Sequence, residues 1–421
     1  MEKVTVEGTV GSVEDYISLV GPELVEEVKE LARPLKGARI ILLNSTAVGG
    51  GVAEMFPGFI RLLHSLGIEV TWLVMPGNRQ FFAVTKKIHN GLQGADISLT
   101  EAERSIYSRQ NEITGKELAQ YAADLYEIHD PQPAGVYPYL SDRPALWRCH
   151  IDSSTANPEF WEFIRERIEP YDRLIFSMQE FARKDLDSRK VVIIHPAIDP
   201  FSVKNRQMDQ ETAKRTIARY GINPNAPLMT QISRFDPWKD PVGVIEAYRL
   251  ARRRHPDLQL VLLGAMADDD PEGPTILASL RQAVGNDQSV HILADTSPND
   301  REVNAFQTLS RVIVQKSLRE GFGLTVTEAL WKGQPVVAGN VGGIRAQIRN
   351  GQNGFLVDTV EECAERVEYL LDNPDQQREL GRQARETVRQ KFLMIRLVRD
   401  HLKLYRQLLG KQQLQPVMMT E

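Results

Sequence analysis

Cysteine is almost missing from this chain, with two in 421 residues, Cys149 and Cys363. They have no CxxC spacing and so build neither a disulfide framework nor a zinc site, which suits a reducing compartment. Positive charge is not concentrated anywhere: the net charge is −5 and no long Lys/Arg block appears. Neither a nucleic-acid footprint nor a polybasic membrane anchor is therefore indicated. No apolar run reaches the ~18 residues of a spanning helix. The start, MEKVTVEGTVGSVEDY, lacks the basic-then-apolar pattern of a secretion signal. A cytoplasmic protein is expected, with no nucleic acid or membrane as partner. The nucleophile elbow G-x-S-x-G and the Walker loop are also absent, which argues against a hydrolase triad or a kinase. Aspartates 268–270 are followed by Pro-Glu-Gly with no further ligand spacing, so they read as a solvated loop and no metal site is expected.

What is present is an ordinary globular composition, 42% hydrophobic and 25% charged, in a chain long enough for two or three cores. Short apolar runs recur at Arg39–Leu43, Val70–Val74, Leu125–Ile128, Ala145–Ile151, Arg173–Phe176 and Val191–Ile194. Helical patterns separate them, at 13–36, Val52–Leu66, Phe81–Leu92 and near Gly115–Tyr126. The pattern breaks at His195–Pro200, and a second alternating series runs from Gln210 to about 390. A last helix rich in Arg and Leu follows at Phe392–Leu409. Strands alternating with helices predict parallel sheets covered on both faces. The expected fold is α/β: two doubly wound, Rossmann-like domains facing across a cleft, residues 1–204 and 205–390. In such sheets ligands sit beyond the carboxyl ends of the strands.

Chemistry-bearing residues fall at those ends. The stretch KSLREGFGLTVTEALW, Lys316–Trp331, leaves the apolar run Val312–Val314, turns through Gly321 and Gly323 and enters a helix. A glycine turn at a helix start lets a phosphate approach unpaired N–H groups. Glu320 and Glu328 frame that turn and can accept hydrogen bonds from hydroxyls, a combination that suits a phosphorylated sugar or nucleotide sugar. Arg234 and Lys239, on a loop stiffened by Pro237 and Pro241, can neutralise a diphosphate leaving group. Val48–Val52 holds Gly49, Gly50 and Gly51, a tight turn where backbone can approach a phosphate or sugar. Glu54 stands where a dinucleotide fingerprint wants its third glycine, so NAD is disfavoured. The tracts Ile128–Pro133 and Leu146–Asp152 each put a His and an Asp at a strand end, where a hydroxyl-rich ligand could be held.

With those residues in place the chain resembles the retaining glycosyltransferases of family 4, which have the two-domain GT-B fold. The Glu320…Glu328 spacing around GFGLT resembles that family's E-x7-E motif, and Arg234…Lys239 its basic pair. NSTAVGGGVAE (Asn44–Glu54), HDPQP (His129–Pro133) and WRCHID (Trp147–Asp152) look like the tracts of its trehalose-forming subgroup. The resemblance implies transfer of glucose from a nucleoside-diphosphate glucose to free glucose, giving α,α-trehalose, reversibly. The catalytic set would be Glu320, Arg234, Lys239 and His150. Donor contacts would come from Gly50, Gly51, Leu293, Gly321, Phe322, Gly323, Leu324, Thr325 and Glu328, the last at the ribose. The acceptor side would be Asp130, Gln132, Arg148 and Asp152. The last helix, within 391–421, would pack back on the first domain. No metal or other cofactor is required, the nucleotide sugar being a substrate. The sequence leaves a homodimer open. It also leaves a retaining trehalose phosphorylase, another small acceptor, a nucleotide-sugar epimerase and a non-catalytic binder as rivals.

Overall fold

The structure is a computed structural model that describes residues 1–6, 11–48, 50–140, 142–264, 273–294 and 299–412. Gly49 and the 268–270 aspartate run lie outside the described residues. The chain forms two compact units, one of Met1–Pro196 with Met394–Glu421 and one of Ala197–Leu393. The first unit thus ends inside the His195–Pro200 tract, short of 204.

The strands of the first unit are β1 (Glu2–Val4), β2 (Arg39–Asn44), β3 (Glu69–Val74), β4 (Leu125–His129), β5 (Ala145–Cys149), β6 (Arg173–Phe176) and β7 (Val191–Ile193). Among the described residues they form one sheet in the order β1-β3-β2-β4-β5-β6-β7. All pairs are parallel except β1, which lies antiparallel along β3, Glu2 opposite Val74. Apolar runs such as Ile40–Leu43 are buried on both faces, as a parallel sheet covered by helices requires. Each such side chain stabilises the fold by about 1.5–3 kcal/mol. The order reverses between β2 and β4, which pair Leu43 with Ile128. The loops after these two strands therefore leave the sheet side by side, at a topological switch point.

Two helical expectations are corrected. The 13–36 pattern is broken by Gly21, whose φ of +85° ends the helix Ile17–Val20 before Pro22–Ala32 begins. The helix expected near Gly115–Tyr126 is Glu101–Leu118, started by a reciprocal Thr100/Glu103 cap. Gly115 lies inside it because a Cβ there would sit 2.6 Å from the Tyr139 ring; this glycine marks close packing rather than a stop. The helix Met394–Gln412 belongs to this first unit. The Arg396 guanidinium donates to the carbonyls of His195 and Pro196, at 2.8 and 2.9 Å.

The second unit contains β8 (Leu228–Ile232), β9 (Gln259–Leu263), β10 (Val290–Leu293), β11 (Val312–Gln315), β12 (Val336–Gly339) and β13 (Gly354–Val357). These form a parallel sheet in the order β10-β9-β8-β11-β12-β13, with an apolar core on each face. The switch point lies between β8 and β11, which pair Ile313 with Thr230. The Arg234–Lys239 loop leaves one of these strands and the Lys316–Gly323 loop leaves the other.

Candidate active site

In the second unit the two loops at the switch point are tied together by their charges. Lys239 Nζ lies 2.6 Å from Glu320 Oε2, and Ser317 Oγ donates to the same oxygen at 3.2 Å. A second ion pair, Lys316 with Asp240, crosses between the same loops. The Leu318 amide donates to the Trp238 carbonyl at 2.8 Å. Asp240 is held in the left-handed region, φ +47°, and caps the helix Pro241–Arg252 through Gly243 N–H. Arg234 is about a third exposed, with its guanidinium 3.8 Å from Asp236. Lys239 and Glu320 are thus neighbours, and Arg234 stands on the same loop as Lys239.

The glycine turn enters the helix Leu324–Trp331 through Gly323, whose φ of +81° favours glycine. The amides of Leu324 and Thr325 open that helix and have no preceding-turn carbonyl. Gly339 and Gly343 let the turn sit against its neighbours: a Cβ on either would come within 2.1 Å of Ser317 O or 2.5 Å of Gly321 O. Gln347 Nε2 donates to the Phe322 carbonyl at 2.5 Å, and Thr327 Oγ1 donates to Gln347 Oε1 at 2.6 Å.

Glu328 has a different set of partners from Glu320. It is 2% exposed, accepts from Gln307 Nε2 at 3.2 Å, and has Lys204 Nζ 3.9 Å away. Lys332, one turn on, donates to Gln307 Oε1 at 2.7 Å. Burial pushes the Lys332 ammonium down to about 8, against the opposing pull of the Glu328 carboxylate. Leu293 is the last residue of β10. Its side chain packs on the core and its carbonyl accepts from Gly264 N–H at 3.1 Å.

In the first unit β2 and β4 bring the glycine turn beside the His129 tract. Gly50 is in extended backbone ahead of the helix Gly51–Ser65, and a Cβ on it would meet nothing within 4 Å. Asp130 ends β4 with φ +69° and accepts from His150 N–H at 2.8 Å. Burial lifts its carboxyl to about 7, more than that hydrogen bond and the Arg148 charge hold it down. His150 Nε2 lies 3.1 Å from His129 Nδ1. Burial first, then Arg148 and His129, push the His150 imidazole well below its usual range, so it is neutral. Gln132 Oε1 is buried and finds no donor among the described residues, an acceptor that a ligand hydroxyl or water would satisfy. Asp152 closes a turn by accepting from Ser154 N–H and Oγ, at 3.1 and 2.6 Å.

Arg148 needs a correction. Expected on the acceptor side, it is 2% exposed and donates to His401 Nε2 at 2.8 Å and to the Ile194 carbonyl at 3.2 Å. β5 is buried on both faces, and period two puts Arg148 on the opposite one from Trp147 and Cys149, where it meets His401 of the helix Met394–Gln412. Cys149 is a packed thiol, its pKa raised by burial. The sequence did not single out Glu127, His401, Tyr405, Lys316, Gln307 or Lys332. A charged residue inside the all-buried strand Leu125–His129 was the available signal for Glu127.

Two family models match the chain, "Trehalose synthase, N-terminal domain" over residues 42–183 and "Glycosyl transferases group 1" over 212–387. A trehalose synthase of Pyrococcus horikoshii is 45% identical over 401 residues, covering 94% of this chain and 97% of that one. A trehalose phosphorylase of Pleurotus pulmonarius is 30% identical, covering 82% of this chain and 54% of that one. An α,α-trehalose-phosphate synthase structure from Burkholderia vietnamiensis superposes with a TM-score of 0.70 at 15% identity, covering 90% of this chain and all of that one. At that identity the likeness is one of GT-B fold. No helix among the described residues is long and apolar enough to cross a membrane.

Proposed function

The chain belongs to the trehalose synthases among the group 1 glycosyltransferases, and on that premise we propose that it joins glucose from a nucleoside-diphosphate glucose to free glucose. The product is α,α-trehalose, formed reversibly and with retention. The observation that carries this reading is the Lys239–Glu320 pair at the second unit's switch point, beside the Gly323 helix start. Arg234 and Lys239 hold the diphosphate. The amides of Leu324 and Thr325 meet its distal phosphate, helped by the helix dipole. Glu320 accepts from donor-sugar hydroxyls, and Glu328 is assigned to the ribose. From the first unit, His150, Asp130 and Gln132 are assigned to sugar hydroxyls.

The bond between the anomeric carbon and the diphosphate oxygen breaks with its electron pair on oxygen. The two cations stabilise that charge, an effect worth about 10²–10³ in rate. The acceptor hydroxyl attacks from the same face and gives its proton to the departing phosphate oxygen. Charge neutralisation is assigned to Arg234 and Lys239 and no resident metal is required. Full turnover in a chelator is the expected result, and loss of turnover would overturn that assignment.

The likeness to a phosphorylase supports a second reading, in which inorganic phosphate replaces the nucleotide. The chain spans about half the length of that relative; its 45% identity to a trehalose synthase against 30% to the phosphorylase favours the first. Incubation with trehalose plus either phosphate or a nucleoside diphosphate separates the two. Release of a nucleotide sugar is expected, and release of sugar phosphate with phosphate alone would reverse the choice.

A further inference from the structure

Behind His150 runs a chain of buried polar groups that the proposed transfer leaves without a task. His150 Nε2 lies 3.1 Å from His129 Nδ1, the two rings within 14° of parallel. Phe56 packs edge-on against the His129 ring, 4.8 Å between centroids. His129 Nε2 lies 3.3 Å from Glu127 Oε1, and Tyr405 O–H donates to Glu127 Oε2 at 2.5 Å. From the helix Met394–Gln412, His401 Nδ1 lies 2.8 Å from the Leu397 carbonyl. Arg148 faces His401 Nε2 at 2.8 Å.

These contacts fix the protons. A carbonyl only accepts and a guanidinium only donates, so His401 is neutral, with its proton on Nδ1 and a bare Nε2. That nitrogen, though 3.3 Å from Glu127 Oε1, brings the oxygen no proton. Burial opposes charge on Glu127, yet the carboxyl lies well below its usual range: the buried Arg148 guanidinium has Glu127 as its leading counter-charge, and Tyr405 O–H donates to the carboxylate. A bare nitrogen facing a buried carboxylate would be repelled, so the His129 proton sits on Nε2, held by charge across 3.3 Å and not by an aligned hydrogen bond. Neutral His129 then has a bare Nδ1, and its hydrogen bond with His150 needs the proton on His150 Nε2. No protein atom among the described residues bonds His150 Nδ1.

We propose that Glu127 and His129 are positioning residues that lock His150 in its Nε2–H tautomer, leaving a bare Nδ1 to accept a hydrogen bond from a sugar hydroxyl. The sugar contact rests on the proposed function; the tautomer does not.

Glu127→Gln tests this. Tyr405 O–H keeps the amide oxygen where Oε2 was, so the amide N–H falls where Oε1 was and offers its proton to His129 Nε2. The chain then runs backwards and leaves His150 protonated on Nδ1. Long-range ¹H–¹⁵N correlations on the ligand-free full chain, labelled at histidine and assigned with His150→Ala, read the tautomer directly. The wild type should show His150 protonated on Nε2, and Glu127→Gln should move that proton to Nδ1. The variant's kcat/KM should fall about 10- to 100-fold, the worth of one hydrogen bond to substrate. His129→Asn, whose Oδ1 still accepts from His150 Nε2–H, should keep the tautomer. A wild-type His150 protonated on Nδ1, or a tautomer unmoved in Glu127→Gln, overturns the proposal. If Glu127→Gln does not fold, the wild-type spectrum decides. Absence of trehalose synthesis by the wild type would instead sink the proposed function and leave the tautomer standing.

Discussion

Replacing Lys239 by Met should damage stability and turnover by separable amounts. The ammonium sits 2.6 Å from Glu320 Oε2, with side chains 17% and 9% exposed. At an effective dielectric of about 20 the gross attraction is about 6 kcal/mol, most of it offset by the desolvation of both charges. Lys239→Met leaves Glu320 with the Ser317 hydroxyl as its donor, at 3.2 Å. A poorly compensated carboxylate should lower stability by about 1–3 kcal/mol, while loss of a cation facing the leaving diphosphate should lower kcat by about 10²–10³. Adding Glu320→Gln removes the stranded charge, so the double variant should recover most of the stability and none of the turnover. Urea unfolding alongside initial rates of trehalose formation reads both quantities. A single variant as stable as its parent and within fivefold of its rate would refute the reasoning.

Three further outcomes are expected. Because the Asp130 carboxyl is raised to about 7 by burial, the folded state holds a proton there that the unfolded chain releases near pH 4. Its stabilising effect is complete below that range and is lost as pH rises through 7. Asp130→Asn, which tolerates φ +69° and still accepts from His150 N–H, should gain in melting temperature relative to its parent between pH 5 and pH 8; a constant difference would contradict the sign. Glu328→Ala should raise the KM for nucleotide sugar about tenfold with kcat little changed, the mark of binding shared by ground and transition states; an equal fall in kcat would place Glu328 in the chemistry. Gly343→Ala should unfold at a lower temperature and lose donor binding by calorimetry, since its Cβ would sit 2.5 Å from Gly321 O and Phe322 Cα; unchanged donor affinity would show that the turn can shift without consequence.

Much of the frame was legible because apolar runs such as Ile40–Leu43 and Val312–Val314 are short, continuous and regularly spaced, which is how a parallel strand must read. Lys239 and Glu320 could be singled out because each follows such a run closely, and strand order then makes them neighbours. The sequence could not reveal which side chains turn inward. Arg148 stands in the same tract as His150, two residues back and so on the same side of an extended chain, yet Arg148 lies inside β5 against His401 while His150 lies just past the strand's end. His401 and Tyr405 lie some 270 residues beyond Glu127 along the chain, and no local pattern announces such a meeting. The short strand Glu2–Val4 was missed because three residues on a sheet edge bury too little to show a period.

The closing helix has a bearing on how the polypeptide matures. Ala197–Leu393 is one continuous stretch and can assemble as soon as it leaves the ribosome, whereas Met1–Pro196 must wait for a segment translated last. Until Tyr405 arrives, the Glu127 carboxylate lacks its shortest donor, and the nascent amino-terminal half has an ionised group in its interior with half its escort missing. Shortening the gene before codon 394 should accordingly spare the half that was made second and cripple the half that was made first.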